Sequence, residues 1–435
     1  MTAVGAGDVP LPLLGTKLRP PRRRRATVER GRLADPGVAD TGPALTLVSA
    51  PAGFGKTTLV SEWLTSARTA WLGLDPGDDE PTRFWTYVVA ALEEALPDLG
   101  SESGSLLRDP RLPIDVALAT LINDVEAAAT DVVLVLDDYH VIQDPRIHAS
   151  VSFLLDHLPA QLRLVIATRA DPPLPLASMR AAGELREVRA ADLRFTAEEA
   201  AEYLNGAMGL SLTPGDVEVL ESRTEGWIAA LQLAALSIQG RSDPDQFIAE
   251  FAGEDRFILD YLADEVLDRR PPGVRDFLLD TSILGRLSGP LCAAVTGDEH
   301  ARGRLDELDR ANLFVVALDD RRGWYRYHHL FGDMLRARLL DERPERVPEL
   351  HRRASEWYAA NDLPQGAVEH ALAGGDVERA ASLTRWRRMT SRSAFSCRVM
   401  TSGSDSSASA LATASRSSCA KRVRYRALRV SRIRS

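Results

Sequence analysis

Short apolar runs alternate with longer amphipathic stretches through the first half of the chain: LTLVSA (45–50), AWLGL (70–74), VVLVLDD (132–138), RLVIATR (163–169) and LREVRAADL (185–193). Strands buried on both faces read as continuous apolar runs, so 41–195 predicts a parallel sheet covered by helices on both faces. From 196 to 270 the period turns helical. TAEEAAEYLN places Thr196 three residues before Glu199, a capping box ahead of an amphipathic run, and a helix pair then breaks near Gly226. Over 271–345 the order of a helix, a hairpin turning on DDRRG and another helix predicts a winged-helix-like unit. Over 346–384, two amphipathic helices joined at NDLP, with Ala at close-contact positions, predict the first member of a helical-repeat array. The pattern fails at both ends. Residues 1–40 form an arm containing RPPRRRR, where prolines exclude regular structure and the arginines stay solvated. Residues 385–435 are rich in Ser, Arg and Ala without a sustained period. They read as a frame-shifted stretch or as a natural disordered basic tail.

Composition narrows the class. The chain of 435 residues is 45% hydrophobic and 26% charged, enough for a large core divided among several domains. Its longest apolar runs, such as VVLVL at 132–136, fall far short of the ~20 residues that span a bilayer, and no signal sequence opens it. A cytoplasmic protein without membrane contact is expected. Cys292, Cys397 and Cys419 have neither disulfide-framework nor zinc-site spacing. Residues 1–384 hold 40 basic and 61 acidic residues, a net of −21 against −9 for the whole chain. That body repels nucleic acid, so DNA contact requires a separate basic module.

The chemistry begins at LVSAPAGFGKTTL (47–59), a strand running through a Gly-rich turn into a helix. Such a loop cradles phosphates on its backbone amides. The usual first glycine is Ala50, at the strand end where ordinary backbone angles suffice. The glycines under steric pressure, Gly53 and Gly55, are present. The expected nucleotide-binding residues are Pro51, Ala52, Gly53, Phe54, Gly55, Lys56, Thr57 and Thr58, with Lys56 on the β- and γ-phosphates and the Thr57 hydroxyl on Mg²⁺. DVVLVLDDYH ends a buried strand in Asp137, suited to Mg²⁺, and Asp138, suited to orienting or deprotonating the attacking water. RLVIATR ends in Thr168 and Arg169, a cation able to sense a γ-phosphate and stabilise transferred charge. The expected fold is therefore an α/β P-loop NTPase followed by an all-α helical domain, a winged-helix-like domain and the start of a helical-repeat array. Its expected ligands are ATP or ADP with Mg²⁺.

A string of motifs in order, among them TKLRPP, VERGRL, VSAPAGFGKTTLVSEWL, WLGLDPGDDEPTRF, VLVLDDYHVI, LVIATRADPPLPL, TEGWIAALQLAALSI and YRYHHLFGDMLRARL, resembles the ATPase module of the MalT-like regulators. These are STAND-class signal-transduction ATPases ending in a LuxR-type helix-turn-helix, and the resemblance covers about 15–383. It implies ATP-promoted self-association, a resting form with ADP, and an inducer bound by helical repeats. It also implies a nucleotide-flanking role for Arg30 in VERGRL. One of His328 and His329 in HHLF, with His329 preferred, resembles a winged-helix histidine that touches the ADP β-phosphate. Gly226-Trp227 resembles a helical-domain motif near adenine, with Ile228 where a proline is frequent. Asp75, Asp79 and Arg83 belong to a signature that reads as a structural turn. The sensor repeats and the DNA-reading helix are expected to be missing, so DNA would be reached only through a C-terminal helix-turn-helix that this chain lacks. The expected function is an ATP/ADP switch with at most slow Mg-dependent hydrolysis. The alternatives are a stand-alone ATPase or kinase, and a DNA binder acting through the basic tail.

Overall fold

The computed structural model describes residues 13–21, 27–33, 42–65, 67–97, 99, 102–107, 112–239, 248, 256–319 and 321–384. The arginine run at 22–25 and the tail at 385–435 lie outside the described residues. Two compact units divide between Leu350 and His351.

The first unit is organised by five parallel strands: β1 (Leu45–Ser49), β2 (Thr69–Gly73), β3 (Val132–Asp137), β4 (Leu162–Thr168) and β5 (Leu185–Arg189). Their spatial order is β2-β3-β4-β1-β5. Leu134, Leu136, Leu164 and Ile166 face a core shared with the helices Pro81–Ala95, Ile114–Ala128 and Pro145–Asp156. Val133, Val135, Val165 and Ala167 on the opposite face are equally buried, which is why these strands read as unbroken apolar runs. The order sets the chemistry: β4 lies between β1 and β3, and the register pairs Ser49 with Thr168. The loop after β1, the acids after β3 and Arg169 after β4 thus emerge side by side at one edge.

LREVRAADL departs from its expected strand. β5 stops at Arg189, and Ala190–Leu193 forms a helical turn closed by the Asp192 carboxylate, which accepts from the Arg189 amide at 2.8 Å. The arm also differs from a solvated one. Among its described residues, Lys17 pairs with Asp75 at 3.0 Å and with buried Asp78, while Val28 and Arg30 are buried.

The capping box forms: the Thr196 hydroxyl accepts from the Glu199 amide and the Glu199 carboxylate from the Thr196 amide, each at 3.2 Å. The helix Ala197–Ala201 then widens into π turns over Glu202–Ala207. The helices Pro214–Thr224 and Ile228–Ile238 are separated by Glu225 and Gly226, both left-handed with φ of 50° and 67°. A Cβ on Gly226 would stand 2.4 Å from the Phe195 carbonyl oxygen, so only glycine fits this elbow.

The helices Pro272–Thr281, Gly289–Thr296 and Ala301–Arg310 lead into an antiparallel hairpin of β6 (Val315–Ala317) and β7 (Tyr325–Tyr327). The Asp319 carboxylate closes the turn by accepting from the amides of Arg321, Gly323 and Trp324, and the helix His329–Glu342 follows. In the second unit, Pro364–Ala373 packs closely on the helical stretch before it. Ala354, Ala367 and Ala371 are buried there, and the Ser355 hydroxyl donates to the Ala367 carbonyl at 2.8 Å.

Candidate functional site

Ala50 simply extends β1, its amide donating to the Thr168 carbonyl at 3.2 Å, which explains why no glycine is needed there. Gly53 and Gly55 have φ of 75° and 79°. Gly55 caps the helix Lys56–Trp63 without any side-chain cap, leaving its first amides free to meet an anion. Gly53 has a second constraint. An added Cβ would lie 2.6 Å from the Ala229 Cβ and 2.9 Å from the Trp227 Nε1. The helical segment is seated directly on the loop: the Trp227 indole donates to the Ala52 carbonyl at 3.1 Å and the Ala229 amide to the Gly53 carbonyl at 3.2 Å.

Lys56 Nζ donates to the carbonyls of Ala50 and Pro51, each at 2.9 Å. Burial, with some repulsion from Arg169, brings its pKa down to about 8 against the pull of Asp138 and Asp137. The Thr57 hydroxyl donates to the Asp137 carboxylate at 3.1 Å. Burial, then the neighbouring Asp138 charge, raises Asp137 to about 6. A hydroxyl and a buried carboxylate side by side are hard oxygen donors of the kind Mg²⁺ takes, and a cation there would stabilise the charged carboxylate. Asp138 sits in a left-handed turn with φ 58°, which directs it away from the strand and into the adjoining cavity.

That cavity has a volume of about 670 Å³ and runs along the loop. Ala52, Gly53, Gly55, Lys56, Thr57 and Thr58 line it together with Asp138, Arg169 and Arg30. Val28, Phe195, Tyr203, Met208 and Leu233 add apolar surface to its lining. Cationic side chains, backbone amides and apolar side chains within one cleft suit a nucleotide, whose phosphates and base make those opposite demands. Arg30 lines the cleft with two of its donor nitrogens engaged, Nη2 with the Arg194 carbonyl at 2.8 Å and Nε with Glu199 at 3.2 Å, and its guanidinium lies 4.4 Å over the Phe195 ring. Ile228 also lines the cleft.

Four expected residues do not: Asp137, which lies behind Thr57 and accepts from its hydroxyl, and three others. Phe54 turns its ring out of the cleft to stack on Trp227 at 6.4 Å and meet Phe314 at 6.2 Å. Pro51 lines a smaller adjacent cavity and offers Lys56 its carbonyl. The expectation for His329 is corrected: its side chain is 61% exposed, with Nδ1 3.6 Å from Glu225, outside the cleft. Neighbouring His328 is the buried one. It packs edge-on against Trp227 and Phe314, and its Nε2 donates to the Thr224 carbonyl at 3.0 Å. Burial lowers its pKa to about 4, and it does not line the cleft either.

The acidic signature is structural. Asp75 caps the turn Pro76–Asp78, Asp78 pairs with Arg83 at 3.2 Å, and Asp79 accepts from the amides of Gln143 and Asp144 at 2.8 and 2.7 Å, bracing the loop beyond Asp138. Sequence reasoning passes over Trp227 as a clamp on the loop, and over His140, Glu265 and Asn312. His140 Nδ1 lies 3.7 Å from Asp138. The sequence marks Trp227 only through the Gly226-Trp227 motif, and nothing in the local pattern of His140, Glu265 and Asn312 distinguishes them from ordinary helix and loop residues. Among the described residues no helix is long and apolar enough to cross a membrane, and no group of three or more His, Cys, Asp or Glu is placed to hold a metal by itself.

Residues 28–166 match the AAA ATPase domain family and residues 263–347 match the MalT winged helix domain. The chain is 37% identical over 389 residues to the serine/threonine-protein kinase PknK of Mycobacterium tuberculosis, covering 88% of this chain and 35% of that one. It is 36% identical over 370 residues to the HTH-type transcriptional regulator MalT of Klebsiella pneumoniae, covering 84% of this chain and 41% of that one. This chain thus spans less than half of either relative. A Walker-type ATPase of Pyrococcus abyssi shares the fold at 15% identity with a TM-score of 0.51, over 73% of this chain and 99% of that one.

Proposed function

This chain belongs to the MalT-like STAND ATPases, and from that premise we propose that it is an ATP/ADP-driven switch of a transcriptional regulator, self-associating with ATP and hydrolysing it slowly. The observation that carries this reading is the position of the phosphate loop. Its carbonyls are gripped by Trp227 and Ala229 of the helical segment, and its Phe54 is packed on Phe314 of the winged helix. A phosphate loop built only for turnover has no need to be the point where three modules meet. Here any shift of the loop on binding phosphate must be felt by both neighbours.

Lys56 would meet the β- and γ-phosphates and the freed amides of 56–58 the β-phosphate, with Arg169 and Asp138 on the γ side. Thr57 and Asp137 would hold Mg²⁺, which neutralises phosphate charge when bound. The relatives support a switch over a dedicated enzyme. The shared segment occurs in one protein named for kinase activity and another named for transcription, so it suits a control element independent of output. DNA contact and inducer binding would belong to segments of the kind those longer relatives carry beyond the match.

The test is solution mass with Mg-ATP and with Mg-ADP. ATP should raise the mass and ADP should not. Lys56→Ala should weaken binding of both nucleotides by about 2–3 kcal/mol, the scale of a hydrogen bond to a charged group, and abolish the mass change. Asp138→Asn should keep ATP binding and self-association while hydrolysis stops. An Asp138→Asn protein that binds ATP yet stays monomeric would leave the enzyme reading in better standing than the switch.

A further inference from the structure

Arg169 faces two cavities. One is the nucleotide cleft. The other is a smaller space of about 130 Å³, bounded by His140 and Arg169 on the nucleotide-binding side and by Glu265, Arg270 and Asn312 on the other. Glu265, Arg270 and Asn312 all fall within the segment that matches the winged helix domain, 263–347.

The two parts of Arg169 are held differently. Its backbone is fixed: Asn312 Nδ2 donates to the Arg169 carbonyl at 3.1 Å and to the Ser49 hydroxyl at 3.0 Å, and the Asp171 amide donates to the Arg310 carbonyl at 3.3 Å. Its guanidinium meets Glu265 at 3.6 Å, a separation at which charges attract without a hydrogen bond. Both side chains are about one quarter exposed, so water weakens the pair further. Glu265 has a firmer partner in Arg269, one helical turn on, at 2.6 Å. Arg270 stands close enough for its charge to oppose that of Arg169. The guanidinium is therefore retained by one loose carboxylate and pressed by a like charge, beside a cleft whose ligand carries phosphates. A phosphate offers a bidentate, hydrogen-bonded alternative.

We propose that Glu265 is a positioning residue for Arg169, holding its guanidinium on the winged-helix side, and that the γ-phosphate of ATP competes for the same guanidinium. ADP, lacking that phosphate, leaves the pair intact. Drawing Arg169 away removes a contact that ties the winged-helix segment to the sheet edge, so this pair converts the presence of one phosphate into looser packing. The inference rests on the switch reading and specifies how that switch distinguishes its two nucleotides.

The experiment measures the affinities of Mg-ATP and Mg-ADP by titration calorimetry on the full chain, for wild type, Glu265→Gln, Arg269→Gln, Arg169→Ala and the double variant Glu265→Gln/Arg169→Ala. Glu265→Gln keeps the shape and removes the charge. It should raise the ratio of ATP to ADP affinity by roughly three- to fivefold, the scale of one partly exposed ion pair, and should lower the ATP concentration needed for self-association. Arg269→Gln, which removes the other partner of Glu265, should not raise the ratio. In the Arg169→Ala background the Glu265 substitution should have no effect on it. Equal changes in both affinities, or the same gain with and without Arg169, would mean that Glu265 only supports the fold and would overturn the proposal. Failure of wild type to bind nucleotide, or to associate with ATP, would instead overturn the switch reading, and that outcome is visible before any Glu265 variant is compared.

Discussion

At the scale of single residues the site sets its own pH window. Lys56, at about 8 in the free protein, keeps its ammonium below that value and loses it as pH rises. Asp137, at about 6, is a carboxylate above that value and takes up a proton as pH falls, ceasing to be a good ligand for Mg²⁺. Mg-dependent ATP affinity should therefore be level between about 6 and 8 and fall on both sides, the acid limb vanishing when Mg²⁺ is withheld. Calorimetry from pH 5 to 9, with and without Mg²⁺, checks this. An acid limb that persists without the metal would remove Asp137 from the role. These residues are legible in the sequence because their constraints are local: a left-handed turn demands Gly53 and Gly55, and an apolar strand delivers Asp137 to its end. His329 was not legible. His328 is the N-cap residue of the helix and His329 is its first helical residue, and which histidine turns inward is decided by Trp227 and Phe314, far away in sequence.

At the scale of elements the sharpest feature is the elbow between Pro214–Thr224 and Ile228–Ile238. Its left-handed Glu225 is nearly buried and accepts from Arg326 at 2.7 and 2.9 Å, pairs with Arg194 at 3.0 Å and receives the His329 amide at 3.1 Å. One carboxylate thus joins the end of the sheet domain, the helical segment and the winged helix. Burial alone would raise its pKa, but Arg326, His328 and the His329 amide outweigh that and bring it to about 2. A carboxyl depressed in the fold contributes stability above its unfolded pKa, near 4.5, and loses that contribution as pH falls toward 2. Glu225→Gln should cost about 1–3 kcal/mol at pH 7, and the gap from wild type should narrow between pH 4 and pH 3 in urea titrations. A gap of constant size would mean that the side chain acts by packing instead of charge. The break at Gly226 could be foreseen from the failing helical period. The tripartite ion pair could not, because Arg194 and Arg326 come from elements that only the tertiary fold brings together. The same limit hid the helical end of LREVRAADL: its apolar spacing suits a strand, and the Asp192 cap that ends the strand is a single hydrogen-bonding event.

At the scale of the whole molecule, charge decides between partners. Residues 1–384 carry a net −21, and the remaining residues hold 13 basic side chains against one acidic. Two copies brought together by ATP must place acidic bodies near each other, an unfavourable contact that salt relieves once the Debye length falls from ~14 Å at 0.05 M to ~4 Å at 0.5 M. A nucleic acid held by the basic stretch would respond in the opposite direction, since each phosphate contact releases counterions and binding weakens steeply with salt. Sedimentation of the full chain with Mg-ATP should therefore show self-association that holds or strengthens from 0.05 to 0.5 M salt, while any retention of DNA should fall by a hundredfold or more over the same interval, as expected for several phosphate contacts. Deleting 385–435 should abolish the DNA signal and leave the ATP-driven association in place. If association itself collapsed with salt, the acidic body would have to be docking against the basic stretch of another copy. The self-association proposed for the nucleotide-binding fold would then belong to the tail.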